Sequence, residues 1–291
     1  MTVSLPAIAV GTDGSPQAEA AVRWAADEAA RRRLPLRIVH VLQEVPRDYP
    51  LPGPRPQDVP DHQVDAGRQV LAEAEKLARD LHPDLTVTTR LERGLPRVVL
   101  LEQAKEAFTM VLGNRGHGGF ASLLLGSTGL RVAGHAQGPV VIVRGTPDPV
   151  HGEIVAGVDL YGRDNDELLA YAFDEASLRG ARLRVRYAFQ LAELLLAAGD
   201  RDEASRLEQG LRAQLQEIVD RWQERYQSVH VVQEVVREHP VQALVDASRR
   251  ADLLVVGARG HSPLGGVLLG SVSHGVIHHA ACPVAVVGPR R

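Results

Sequence analysis

The phrase GNRGHGGFASLLLGS occupies Gly113–Ser127, and GARGHSPLGGVLLGS occupies Gly257–Ser271. Each reads glycine, two residues, glycine, nine residues, then Gly-Ser. Glycine loses the most backbone freedom on folding, so its repeated use at one spacing needs a reason. Without a Cβ, backbone N–H groups can approach an anion closely. Ser127 and Ser271 are placed to cap a following helix, whose first N–H groups attract phosphate. The chemistry on offer is phosphate binding by a strand end, a loop and a helix start. Two tight turns with ordinary caps are the plainer alternative; the duplication favours a ligand.

Other reactive residues say less. A P-loop needs a lysine after its glycines. The chain holds only Lys76 and Lys105, both far from either phrase. GHGGFA at Gly116–Ala121 loosely matches a dinucleotide pattern. The second copy has GHSPLG there, and the first strand-to-helix turn reads GTDGSP, so the match is treated as chance. His117 and His261 follow the second glycine of each phrase, as phosphate-side cations or as plain loop residues. His274 and His278 share a helical face without further ligands, which is a poor metal set. Cys282 precedes Pro283 and an apolar run, and reads as a buried, inert thiol. No GxSxG elbow occurs. Asp27 and Glu28 stand among arginines and read as a solvated helix face.

The elements that position the two phrases repeat along the chain. An offset of 144 carries Pro96 to Pro240, His117 to His261, His135 to His279 and Pro139 to Pro283; an offset of 146 carries Asp13 to Asp159. The first half reads as strands at Ala7–Gly11, Leu36–Leu42, Leu85–Leu91, Thr109–Leu112 and Val140–Val143. Between them the spacing predicts helices over Gln17–Arg33, Val64–Leu81, Pro96–Ala107 and Ser127–His135. The second half gives strands at Ile154–Val158, Leu183–Phe189, Val229–Val236, Leu253–Val256 and Val284–Val287. Its helices fall at Asp164–Arg179, Glu203–Tyr226, Pro240–Arg250 and Ser271–His279. Strands alternating with helices imply a parallel sheet covered on both faces. The expected architecture is α/β, with two tandem domains over residues 1–145 and 152–291, each a five-stranded doubly wound parallel sheet with helices on both faces. The first half has a proline loop at Arg47–Pro60 where the second has a charged helix, read as a solvated lid. GTPDPVHG at Gly145–Gly152 has linker composition.

Net charge is -3, with no basic stripe, which argues against nucleic acid. A single cysteine forbids an internal disulfide and fits a reducing compartment. The N-terminal MTVSLPAIAVGTDGS runs straight into a strand, with no basic leader, and no apolar run is long enough to span a bilayer. A cytoplasmic protein without a membrane partner is expected.

On these residues the chain resembles the universal stress protein family in its tandem form. The resemblance rests on G-x2-G-x9-G-S after a fourth strand, DGSP after the first, and a proline-led last strand. It implies ATP as ligand, alone or with Mg, and pairing of the two domains through their last strands; a homodimer is a further partner considered. Carried over by position, it sets the adenine near Asp13 and Val41. Ribose and phosphates then run along Gly113, Arg115, Gly116, Gly126, Ser127 and Thr128. The matching second-half positions are Asp159, Gly257, Arg259, Gly260, Gly270, Ser271 and Val272. An Asp can accept from the adenine amino group. The second half departs by reading DLYG at Asp159–Gly162, where Leu160 and Tyr161 either narrow the pocket or stack on its base.

The function expected is nucleotide-dependent regulation in a stress response. No residue set stands out as a water activator, so efficient turnover is not implied; slow hydrolysis or autophosphorylation stays open. The rivals are a nucleotide-dependent transferase or ligase on the same fold, and an interaction scaffold without ligand.

Overall fold

Short apolar runs, most of them closed by glycine, make the central strands. The computed structural model describes residues 6–44, 60–116, 126–144, 150–162, 165–190, 201–258 and 269–289, the side chains of 201–204 excepted. The chain divides into two units, Met1–Arg144 and Gly145–Arg291. The first contains β1 (Ala7–Gly11), α1 (Pro16–Arg32), β2 (Leu36–Gln43), α2 (Asp61–Leu81), β3 (Val87–Gly94), α3 (Pro96–Lys105), β4 (Ala107–Gly113), α4 (Ser127–His135) and β5 (Pro139–Val143). The second contains β6 (Glu153–Gly157), α5 (Asn165–Arg179), β7 (Arg182–Phe189), α6 (Arg201–Gln223), β8 (Val231–Arg237), α7 (Pro240–Ser248), β9 (Leu253–Gly257), α8 (Ser271–His279) and β10 (Val284–Val287). The chain is thus α/β, with two tandem domains.

In the first unit the strand order is β3-β2-β1-β4-β5, and every pair is parallel. The second unit has the same topology, β8-β7-β6-β9-β10, also parallel. Parallel neighbours need crossover helices, and right-handed crossovers send them to opposite faces on either side of the first strand. Accordingly α1 packs with α2 and α3 with α4, while α5 packs with α6 and α7 with α8. The order reverses between β1 and β4, and between β6 and β9. In open α/β sheets the crevice for a ligand forms there, outside the carboxyl ends of the strands.

Helix α1 begins at Ser15, whose side chain accepts from the Ala18 N–H at 3.2 Å, and ends at Arg33 in the left-handed region. Its inward face is Ala18, Ala21, Val22, Ala25, Ala26 and Ala29, small enough to lie close on the sheet. Helix α5 uses Leu168, Leu169, Ala172, Phe173 and Ala176 at matching positions. Glu28 corrects an expectation. It is fully buried, not solvated, with Arg31 Nη1 at 3.0 Å and Arg32 beside it. The helical phase sets position 28 on the alanine stripe, and the arginines supply the charge that a buried carboxylate requires. Glu175 in α5 is buried likewise, with Arg179 Nε at 2.8 Å.

The second correction concerns α6. It is no lid: Leu211, Leu215 and Val219 recur every four residues, are buried, and join the helix to α5 and β8. Boundaries shift in two further places. β3 starts at Val87 because the Leu85 N–H donates to the His82 carbonyl (3.0 Å) in the turn closing α2. α3 stops at Lys105 because Ala107 already pairs with Ala7. The proline loop of residues 47–60 lies outside the described residues apart from Pro60, and so does most of the linker. Among the described residues no helix is long and apolar enough to cross a membrane.

Candidate functional site

Each glycine phrase leaves the sheet at the strand-order reversal. In the first unit the Asn114 N–H donates to the Val143 carbonyl (3.1 Å), and the Gly126 N–H returns to the Asn114 carbonyl (2.9 Å). In the second the Ala258 N–H donates to Val287 (2.9 Å), and the Gly270 N–H to Ala258 (2.9 Å). The two loops are therefore clipped shut at their bases by identical backbone bonds. Most of each loop, including His117, Arg259, Gly260 and His261, lies outside the described residues.

The clip aims a helix start at the crevice. Gly126 and Gly270 are the N-cap residues of α4 and α8, and neither helix start receives a side-chain cap. This corrects the expectation that Ser127 and Ser271 cap. Both serines are already the first helical residue, where the side chain is one position too late to reach the N2 or N3 amide. They stand exposed on the first turn, with Thr128 and Val272 half-buried behind them. An uncapped helix start carries unsatisfied N–H donors and partial positive charge. In α8 the buried Ser273 hydroxyl donates to the Gly257 carbonyl, tying that first turn to the end of β9.

The glycines serve three different ends. Gly113 permits packing: a Cβ there would stand 2.7 Å from the Gln17 carbonyl oxygen in the first turn of α1. Gly116 backs onto Asp13, whose carboxylate a Cβ would strike. Gly126 has neither constraint. Its φ of -71° suits any residue, and a Cβ would meet nothing nearer than 3.9 Å.

Asp13 and Gly116 are thus brought together, and Arg115 stands beside Gly126. The Asp13 carboxylate also accepts from the Ser15 N–H at 3.0 Å, which fixes the turn after β1. Gly14 in that turn has φ +81°, a conformation that favours glycine. Val41 sits at the carboxyl end of β2, two residues beyond Val39, which pairs with Gly11 and accepts from the Thr12 N–H at 2.9 Å. His40 Nδ1 lies 2.8 Å from the Thr12 carbonyl and holds the same turn from the side.

The second unit encloses a cleft of about 450 Å3. It is lined by Asp159, Gly257, Gly270, Ser271 and Val272, all expected from the sequence. Leu160 does not line it, and Tyr161 stands at its rim without closing it. The Asp159 carboxylate accepts from the Tyr161 N–H at 3.2 Å. Asn165 clasps the Asp159 backbone on both sides, accepting from its N–H (3.2 Å) and donating to its carbonyl (2.7 Å).

Sequence reasoning missed the wall contributed by β7. Gly11 pairs with Val39 and Gly157 with Arg186, so His40, Val41 and Leu42 correspond to Tyr187, Ala188 and Phe189. These three line the cleft together with Leu168, Leu244 and Arg186. Strand register was the signal that could have found them. Arg186 is not open to an anion: its guanidinium donates to Glu234 (2.8 Å) and to the Ala243 carbonyl (2.8 Å). It belongs to a charged ladder in which Arg182 and Arg184 hold Glu153. Burial alone would raise the Glu153 carboxyl, but the hydrogen bonds from these arginines outweigh it and keep it below the usual range.

Tyr187 is pushed up to about 12, by burial first and then by the nearby Tyr161 and Asp159 charges. The folded state keeps its proton after the unfolded chain, with a tyrosine pKa of about 10, has lost it. Stability from this group is complete below about pH 10 and is lost as pH rises from there through about 12. Denaturation midpoints measured across this window are expected to fall more steeply for the parent than for Tyr187→Phe. Equal slopes would refute the assignment. Elsewhere, Cys282 is buried, and His274 and His278 have ring centroids 4.6 Å apart. No group of three or more metal-ligating side chains occurs among the described residues.

Comparison with known proteins identifies the family. The family model described as universal stress protein family matches residues 6–144 and again 152–288. The chain belongs to the universal stress protein family. A universal stress protein of Mycobacterium tuberculosis is 38% identical over 287 residues, covering 96% of each chain. The crystal structure of a universal stress protein from Archaeoglobus fulgidus, 19% identical, covers 98% of each chain with a TM-score of 0.69 and shares the fold. A universal stress protein solved in complex with cAMP is 29% identical, covering 48% of this chain and 98% of its own, with a TM-score of 0.38.

Proposed function

We propose that both units bind an adenine nucleotide, ATP with the Mg it carries, and that occupancy sets a regulatory state of this universal stress protein. The observation that carries the reading is the duplicated helix start. Two uncapped N-termini, each behind a clipped glycine loop, stand at the strand-order reversals. Such positions favour phosphate through free N–H donors and the helix dipole. The second-unit cleft, at about 450 Å3, falls within the usual range for a small-ligand pocket. In this reading the phosphates lie against Gly126–Thr128 and Gly270–Val272. Asp13 and Asp159 accept from the adenine amino group, with Val41 and Ala188 beside the base.

Isothermal calorimetry with Mg-ATP is expected to give up to two equivalents per chain, and mass spectrometry of gently purified protein to find adenine nucleotide. No heat and no thermal shift at millimolar ATP would overturn the reading.

Pairing of the units through β5 and β10 is proposed with it. Each strand is the last in the strand order of its own unit, is apolar throughout, and follows a proline or begins with one. Apolar edges of this kind need a partner. Cysteines introduced singly into β5 and β10 of a Cys282→Ala chain are expected to cross-link within one molecule; absence of that product in every register would refute it.

A further inference from the structure

Aromatic residues are only 4% of the chain, yet three of them gather on the β7 side of the second-unit cleft. Tyr187 lies parallel to Phe189, with ring centroids 6.1 Å apart and planes at 8°. Tyr161 meets Tyr187 edge-on, at 6.5 Å and 68°. The corresponding first-unit residues are Ser15, His40 and Leu42, none of them an aromatic hydrocarbon ring. The two sites therefore differ at the end away from the helix start.

Tyr161 is held on a fixed backbone. Its N–H bonds to the Asp159 carboxylate, and the next N–H, of Gly162, closes a turn on the Asp159 carbonyl at 2.9 Å. The residue is nevertheless 58% exposed, at the rim of a cleft whose other end is the α8 N-terminus. A large flat side chain on a rigid turn above an apolar wall offers a stacking surface at little entropic cost, because few rotors remain to be fixed. Stacking recognises any base, since every base has a π-face.

We propose that Tyr161 is a specificity-determining residue of the second-unit site, stacking on the base so that this site accepts GTP as well as ATP. The proposal rests on the nucleotide reading above. It predicts a division between the units: the first reads the base through the Asp13 carboxylate without a ring, and the second adds ring contact from Tyr161 to the Asp159 carboxylate.

The test uses the full chain carrying Gly126→Val, so that titration reports the second unit, with ATP, GTP and inorganic triphosphate as probes. Tyr161→Ala is expected to weaken both nucleotides about tenfold and to leave inorganic triphosphate unchanged. Tyr161→Phe should restore nucleotide affinity to within about twofold, since it keeps the ring. Unchanged ATP affinity in Tyr161→Ala would overturn the stacking role while leaving nucleotide binding intact. A parallel loss for inorganic triphosphate would overturn it too, showing that Tyr161 acts through the turn and not through the base. If the Gly126→Val parent and the unmutated chain both bind no nucleotide, the underlying reading falls as well.

Discussion

Phe173→Ala is expected to destabilise the second unit by about 3–5 kcal/mol. Phe173 is fully buried in α5 and touches two rings from the α6 side. Trp222 lies parallel to it within 22°, with centroids 6.2 Å apart, and Tyr226 lies 5.4 Å away. Truncation removes the transfer energy of the ring, leaves a cavity that rigid neighbours cannot fill, and breaks two ring pairs. A domain of this size is held by only about 5–15 kcal/mol, so the loss is a large share of the total. The measurement is guanidinium denaturation followed by Trp222 emission, with Trp24 replaced by Phe in both proteins. Phe173→Leu, which keeps most of the volume, should recover much of the difference. An unchanged midpoint for Phe173→Ala would show that α6 contributes little to holding α5.

The first unit has Ala26 at the position of Phe173, and this substitution records how differently the two units are covered. α1 packs with α2 and carries an alanine where α5 sets Phe173 against the Trp222 ring of α6. That contrast was written in the sequence, yet it is readable only once the two helices are aligned in phase.

The same distinction separates what was legible from what was not. Strands such as Ala7–Gly11 and Val284–Val287 are apolar throughout because both sheet faces are covered, so composition alone marks them. β3 is an edge strand with polar residues at Thr88, Thr89 and Arg90, and its start was displaced because no apolar run defines it. Glu28 reads as solvated from its arginine neighbours in sequence, while helical phase governs its burial. In the site, Asp13, Gly116, Asp159 and Gly270 were visible because turns and strand ends carry distinctive residue types. Tyr187, Ala188 and Phe189 were not, since residues within a strand acquire a role only from the register that sets them beside β6. The serines after Gly126 and Gly270 read as caps in sequence, and only cap geometry shows that each is already the first helical residue.

Gly126→Val and Gly270→Val are each expected to remove one nucleotide site while the chain stays folded. The backbone does not demand glycine at either position: φ and ψ are -71° and 145° at Gly126, and -57° and 148° at Gly270, within the range of ordinary residues. At Gly126 a Cβ would make only ordinary van der Waals contact, with Arg115 and Asn114 at 3.9 Å. The fold therefore loses only the N-cap preference of glycine over valine, about 1 kcal/mol. A phosphate seated on the helix start, by contrast, would have to share that space with a branched side chain. ATP calorimetry should fall by one equivalent for each single change and to nothing for the double one, because the two sites lie in separate units and act independently. Aspartate sharpens the comparison. Gly126→Asp and Gly270→Asp should hold or raise thermal stability, because the carboxylate caps the helix and complements its dipole. They should nevertheless abolish binding at their own site, because a carboxylate then occupies the anion position. A purely structural glycine predicts that stability and binding move together. A phosphate-binding helix start predicts that the aspartate variants move them in opposite directions, and full ATP stoichiometry in Gly126→Asp would show that the helix start of α4 is not where the phosphate binds.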